Sequence, residues 1–364
     1  MSDHDQQPFL QLHEIVKKFP GTIAVDNVSM SAFRGHVHGL VGENGAGKST
    51  LIRVIAGVHR PDSGTISIGG TATHFRDYSD ARRAGIGVVY QNLSLLTDIS
   101  VAENVIMGIW PRKRGGLIDW SQVDAMAQAA FERVGLEIDP HTLVSSLPIA
   151  TRQLVEIAKV LSQDPEIIIF DEPTAPLSRV EVERLFAVID SLRRQDKLVI
   201  FVSHRLDEVL GICDTITVMK DARLIITGPA AEFDENKLIT AMVGREITEV
   251  FPEKARVAPD TPVVFEFSGQ VGTSQHETSF TVQKGEVIGI GGLQGQGQVA
   301  LLNSIFGLEE SSDIRISIHG KPWTIRSPRD AMKAGIALIP ENRIQDGIFS
   351  GLSVGQNLAA ATLD

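Results

Sequence analysis

The feature that most constrains this 364-residue chain is an internal duplication. The segment running from Gly35 to Gly47, GHVHGLVGENGAG, returns 250 residues later, from Gly285 to Gly297, as GEVIGIGGLQGQG. Ile66-Ser67-Ile68 returns as Ile316-Ser317-Ile318, and Ala84-Gly85-Ile86 as Ala334-Gly335-Ile336, at the same spacing. Ser100-Val101 and Ser353-Val354 stand 253 apart, which implies a small loop insertion in the second copy. A repeat of this length is a folding unit written twice. The first unit is read as residues 9–245, a linker with Pro252, Pro259 and Pro262 as residues 246–262, and the second unit as residues 263–364. The second copy ends at Asp364, soon after the counterpart of position 110, so it is expected to be only the N-terminal part of a unit.

Patterning within the first unit predicts an α/β domain. Apolar runs at His38–Val41, Ile167–Phe170 and Leu198–Val202 read as strands buried on both faces. Amphipathic stretches at Leu51–Ala56, Gln153–Leu161 and Val180–Arg194 read as helices. Asp119–Val134 is also helical in pattern, and with its surroundings suggests a helical insertion over about 93–163.

Composition closes off several function classes. A hydrophobic share of 43% and a charged share of 22% are ordinary for a globular chain. A net charge of −11 opposes a broad basic surface, so no nucleic-acid partner is expected. The single cysteine, Cys213, excludes an internal disulfide framework and reads as a small buried hydrophobe. The polar start Met1–Gln7 lacks a signal-peptide pattern. No stretch approaches the roughly 18 uninterrupted apolar residues of a membrane span.

Three motifs carry chemistry. Gly42, Glu43, Asn44, Gly45, Ala46, Gly47, Lys48, Ser49 and Thr50 fit G-x-x-x-x-G-K-[ST] between a strand and a helix. Such glycines let successive N–H groups point at phosphate oxygens, and the helix N-terminus adds positive potential. Lys48 is placed to meet the β- and γ-phosphates of ATP, and the Ser49 hydroxyl to ligate Mg²⁺. Ile167–Phe170 delivers Asp171 and Glu172 to a strand tip, Asp171 for the metal's water shell and Glu172 as general base. Leu198–Val202 ends in Ser203-His204, and a histidine at a strand's carboxyl end faces the ligand crevice of such sheets.

The order of these motifs, with Val88–Gln91 and Leu147–Gln153 between them, resembles the nucleotide-binding domain of ABC transporters. Val155–Lys159, Asp171–Thr174 and Gly335–Arg343 narrow the resemblance to the duplicated ATPase subunits of bacterial ribose, galactose and xylose importers. The resemblance implies a P-loop cassette with a mostly parallel sheet core, an antiparallel β subdomain and a helical subdomain, followed by a partial second cassette. It implies an ATPase with Lys48, Glu172 and His204 as catalytic residues. Gln91 resembles the glutamine that touches the metal and faces the membrane subunit, so the metal set becomes Ser49, Gln91 and Asp171. Phe19 sits where the family stacks an aromatic ring on adenine, and Thr174–Ser178 resembles the loop crossing the dimer interface. The implied partners are transmembrane permease subunits, a second cassette or a second copy, and, indirectly, a periplasmic or extracellular sugar-binding protein. The implied location is peripheral, on the cytoplasmic face of the cell membrane.

Two departures stand out. The family's Leu-Ser-Gly-Gly-Gln signature is replaced by Leu147-Pro148-Ile149-Ala150-Thr151. Pro148 has neither a hydroxyl nor a backbone N–H for a γ-phosphate, and Ala150 adds a methyl group where glycine allows close approach. In the second phosphate loop, Gly292–Ala300, Gln298 replaces Lys48, Val299 replaces Ser49 and Ala300 replaces Thr50, while Glu341 replaces Gln91. The chain alone is therefore expected to bind ATP·Mg²⁺ and hydrolyse it slowly. Pro111–Arg114 reads as a solvated loop, with lipid headgroups as its other reading, and Glu232–Glu235 as a solvated helix start. Three alternatives stay open at this point: a remnant that binds ATP without transport, a soluble tandem ATPase acting on ribosomes, and a DNA-repair or chromosome ATPase. The short linker and Gln298 weigh against the ribosomal type, and the lack of a long coiled-coil or zinc-binding insertion against the chromosomal one.

Overall fold

Strands buried on both faces need a layer of structure on each side, and the first unit supplies both. A computed structural model describes residues 7–244, 257–258, 260–271, 277–292, 296–309, 314–340 and 346–360. The chain divides into two units, Met1–Val250 and Phe251–Asp364. Arg245, Pro252, Pro259, Gly295, Glu341, Asn342, Arg343 and Asp364 lie outside the described residues, as does most of the stretch read as a linker.

The first unit begins with β1 (Leu10–Phe19), β2 (Thr22–Ala32), β3 (Val37–Gly42), α1 (Lys48–Ile55), β4 (Ser63–Ile68), β5 (Thr71–Thr73), α2 (Tyr78–Arg83) and β6 (Ile86–Val89). Three helices follow: α3 (Val101–Ile106), α4 (Trp120–Arg133) and α5 (Ile149–Leu161). The unit closes with β7 (Ile167–Asp171), α6 (Arg179–Arg194), β8 (Leu198–Val202), α7 (Leu206–Ile212), β9 (Thr215–Lys220), β10 (Arg223–Pro229) and α8 (Glu235–Val243). One sheet is antiparallel, in the order β2-β1-β4-β5. The other runs β10-β9-β3-β8-β7-β6, with every neighbouring pair parallel except β9 and β10.

Alternation along the central strands feeds two cores. On β7, Ile168 and Phe170 join the cluster built with α3 to α6, while Ile167 and Ile169 join the one built with α1 and the antiparallel sheet. On β8, Val199 and Phe201 take the first side and Leu198, Ile200 and Val202 the second. Each such fully buried side chain contributes roughly 2 kcal/mol of transfer free energy. The sheet is thereby held rigid from both faces, and its strand tips become fixed mounting points. Helix α1 starts at Lys48 rather than Leu51, because Gly47 caps it at φ 100 and Lys48 is already helical.

The second unit contains β11 (Val263–Gln270), β12 (Glu277–Gln283), α9 (Gln298–Phe306), β13 (Arg315–Ile318), β14 (Lys321–Trp323), α10 (Pro328–Lys333) and α11 (Val354–Ala360). Its sheet order, β12-β11-β13-β14, repeats β2-β1-β4-β5, and β14 and α10 lie 250 residues after β5 and α2 at both ends. Local hydrogen bonds repeat too. Asn104 clamps the main chain of Leu96 through Oδ1 and Nδ2, and Asn357 clamps Phe349 in the same way. The counterpart of β3 behaves differently. Val37 is 1% exposed between β8 and β9, whereas Val287 is 94% exposed and its segment pairs with no strand among the described residues. A parallel strand is made by distant neighbours, and a repeated motif does not carry them with it.

Candidate functional site

The phosphate-loop sequence folds as a tight turn between β3 and α1. A Cβ on Gly42 would collide with the main-chain oxygen of Met219, and one on Gly47, at φ 100, with that of Ala24. Both positions therefore require glycine for close packing as well as backbone freedom. Ala46 is buried in the core, anchoring the turn, while Glu43, Asn44, Gly45 and Ser49 are exposed and Thr50 is half-buried. The Lys48 ammonium is buried and donates to the carbonyls of Gly42 at 2.7 Å and Glu43 at 3.0 Å. Burial lowers its pKa, and the charges of Glu172 and Asp171 oppose that shift.

Three further strand tips converge on the same place. Adjacent strands β6, β7, β8 and β3 are parallel, so their carboxyl ends share one edge of the sheet. Asp171 closes β7 and is buried; desolvation and the neighbouring Glu172 charge raise its pKa, partly offset by Lys48 and Arg53. Glu172 follows at φ 51, a conformation L residues rarely adopt, with its N–H donating to Val202 O at 2.9 Å. Gln91, beyond β6, donates from Nε2 to Glu172 Oε2 at 2.9 Å. His204, beyond β8, places Nδ1 3.4 Å from Glu172 Oε1. Lys48, Asp171, Glu172, Gln91 and His204 thus form one charged cluster beside the loop. It contains an ammonium, a carboxylate pair, and a histidine in contact with the more exposed carboxylate.

Other expected residues lie apart from this cluster. Phe19 ends β1 in the antiparallel sheet, 37% exposed and edge-on to His59 with ring centroids 5.3 Å apart. The Lys17 ammonium stands over the same ring, 5.5 Å from its centroid. Pro148 is the N-cap of α5 and supplies no side-chain cap, while Arg152 donates to Leu147 O and Ser145 O across the same turn. In the second unit, Gly297 caps α9 at φ 98 as Gly47 caps α1, and the Gln298 amide stands where a Cβ on Gly292 would be.

A further set of polar contacts joins residues that no sequence motif links. Ser94 donates to the buried Glu156 at 2.6 Å, and Lys159 donates to Ser94 O at 3.0 Å, linking the segment after Gln91 to α5. Glu208, buried on α7, accepts from Thr174 and Ser203. A local signal for it existed: an acid four residues after His204, in the first turn of a helix leaving a strand tip.

Comparison with known proteins identifies the family of the chain. A family model described as "ABC transporter" matches residues 25–175 and again residues 275–364. A ribose import ATP-binding protein of Rhodococcus jostii is 42% identical over 353 residues, covering 96% of this chain and 69% of that protein. An arabinose import ATP-binding protein of Burkholderia cenocepacia is 43% identical over 353 residues, covering 96% and 68%. Among solved structures, the ADP conformation of an ATP-binding cassette of an ABC transporter aligns with a TM-score of 0.57 at 27% identity. That alignment covers 67% of this chain and 100% of the other.

Proposed function

The chain belongs to the ABC transporter ATPase family, and on that premise we propose that it is the ATP-binding, energy-coupling subunit of an importer for a monosaccharide or related polyol. The observation that carries this reading is the convergence of Lys48, Asp171, Glu172, Gln91 and His204 on one sheet edge beside the phosphate loop. The sugar class follows the names of the relatives.

In this reading ATP is the substrate. Lys48 exchanges its two loop carbonyls for phosphate oxygens, and the N–H groups of Gly45–Thr50 cradle the chain of phosphates. Glu172 takes a proton from the attacking water, and His204 holds the γ-phosphate side of the site. Phe19 stacks on the base. Ser49, Gln91 and Asp171 are suited to hold the Mg²⁺ that arrives with ATP, because two crowded carboxylates, one with a raised pKa, favour an added cation. The ion would neutralise charge on the phosphates.

The second unit is read as the N-terminal part of a second cassette, supported by the repeated sheet order and the second match to the family model. Its loop offers Gln298 and Val299 in place of Lys48 and Ser49, so nucleotide is assigned to the first unit. Partners in this reading are permease subunits in the membrane and a second cassette or copy, with a sugar-binding protein acting through the permease. Among the described residues no helix is long and apolar enough to cross a membrane. In this reading the chain works peripherally on the cytoplasmic face, as the import role named for its relatives suggests. The deciding experiment is calorimetric titration with Mg·ATP followed by single-turnover hydrolysis. Tight, Lys48-dependent binding with slow turnover supports the reading; no binding, or turnover near ~10 s⁻¹ in the isolated chain, contradicts it.

A further inference from the structure

We infer that Glu208 is a positioning residue that fixes the spacing of Glu172 and His204, an inference that rests on the ATPase reading above. Two loops carry the reacting groups, one after β7 and one after β8, and a single carboxylate oxygen joins them. Thr174 Oγ1 donates to Glu208 Oε2 at 2.7 Å, and Ser203 Oγ donates to the same oxygen at 3.1 Å. The N–H of Arg205 donates to Ser203 Oγ at 3.0 Å, and its guanidinium stands 2.7 Å from Glu208 Oε1. Thr174, Ser203 and Glu208 are 2%, 1% and 5% exposed. Thr174 lies two residues after Glu172, and Ser203 immediately precedes His204.

The chemistry of this junction is more demanding than packing alone. Burying a carboxylate costs several kcal/mol unless it is hydrogen-bonded, and apolar side chains of similar volume would fill the space without that cost. What the carboxylate adds is direction: charge-assisted bonds are about twice as strong as neutral ones and hold their donors in a narrow geometry. Direction is needed here because Glu172 sits at φ 51, and a residue in that region persists only where its surroundings hold it. Glu172 N to Val202 O restrains one side of the loop, and Thr174 to Glu208 restrains the other. Glu208 itself lies behind the loops and touches neither water nor phosphate in this scheme.

The test uses the full chain, Mg·ATP, and the ring signal of His204 in protein labelled with ¹³C-histidine, assigned through His204→Asn. Glu208→Ala should lower the single-turnover rate about ten-fold or more, with ATP affinity kept within about two-fold, and should move the His204 signal. Glu208→Gln keeps an acceptor oxygen for both hydroxyls but loses the charge and turns an amide donor toward Arg205, so its rate should fall between those of wild type and Glu208→Ala. Arg205→Ala leaves both hydroxyl bonds but takes the guanidinium away from the buried Glu208 Oε1, so it should lower the urea midpoint while the single-turnover rate stays within about two-fold of wild type. If Glu208→Ala does not fold, Thr174→Val removes one of the two bonds at constant volume and should slow turnover in the same selective way. The proposal is overturned if Glu208→Ala changes neither rate nor His204 signal, or if affinity and rate fall together and glutamine rescues neither. Should wild type bind ATP without any turnover, the ATPase reading fails, and the His204 signal alone then decides the positioning role.

Discussion

Gln91 Nε2 donates to Glu172 Oε2 at 2.9 Å, tying the segment beyond β6 to the tip of β7 across 81 residues. The other Glu172 oxygen faces His204 Nδ1 at 3.4 Å, so both carboxylate oxygens of the proposed general base have a partner within the protein. Glu172→Gln keeps the shape of the side chain and removes its basicity. ATP affinity should be nearly unchanged while single-turnover hydrolysis drops by about 10²–10⁴. Equal loss of affinity and rate would show that Glu172 binds rather than reacts.

Lys48 makes a different prediction for the free and the loaded protein. Without nucleotide its ammonium is bound to Gly42 O and Glu43 O, with a pKa lowered mainly by burial. Lys48→Met removes a charge that is already partly desolvated, so the free protein should unfold within about 1 kcal/mol of wild type. The contrast appears with ligand. At ATP about 100-fold above its Kd, wild type should gain about 2.7 kcal/mol and the variant nothing measurable. Denaturant melts with and without Mg·ATP check both halves.

His38 sets a pH dependence in the strand that carries the phosphate loop. It is fully buried on β3, shares a 2.8 Å hydrogen bond with Thr217 Oγ1, and has a pKa lowered to about 4, by desolvation first and the His36 charge second. The unfolded chain therefore takes up this proton near pH 6.5 and the folded chain only near 4, so stability is lost as pH falls between them. The loss totals about 3 kcal/mol, of which about 2 kcal/mol falls between pH 6.5 and 5, above most carboxylate titration. His38→Gln, which keeps a partner for Thr217, should flatten the stability curve by that amount over this interval. Urea melts at the two pH values measure it; an unchanged slope would rule His38 out as the source.

Much of the site was legible because its chemistry is local. Strand, glycine loop, lysine and helix are contiguous from Val37 to Ile55, and Asp171 and His204 each end an apolar run. What escaped the sequence is non-local or conformational. Glu208 could not be matched to Thr174, 34 residues away, without the β7–β8 register that sets Asp171 opposite Val202. Apolar periodicity in α1 begins only at Leu51, three residues after the helix starts at Lys48 behind the left-handed Gly47. Val287 shows the converse: its motif is readable as a copy of Val37, yet burial depends on neighbours that the motif does not contain.

Pro148 gives the sharpest test of how two chains would cooperate. It caps α5 without a side-chain acceptor, so the N–H groups of the first turn lack a partner from the cap, and Ile149 beside it is 61% exposed. Pro148→Ser supplies an oxygen for the N–H of Ala150 or Thr151, worth about 1 kcal/mol, which should raise Tm by about 2–4 °C. The same hydroxyl is what a γ-phosphate on an opposing phosphate loop would accept from, at about 1.5–3 kcal/mol for a bond to a charged group. If two copies close over each other's Gly42–Thr50 loops, the variant should therefore hydrolyse ATP about ten-fold faster, with a rate rising steeply with protein concentration. Turnover measured across a dilution series separates the two effects. A higher Tm with unchanged, concentration-independent turnover would confine Pro148 to capping and rule out closure of this signature over a partner's nucleotide.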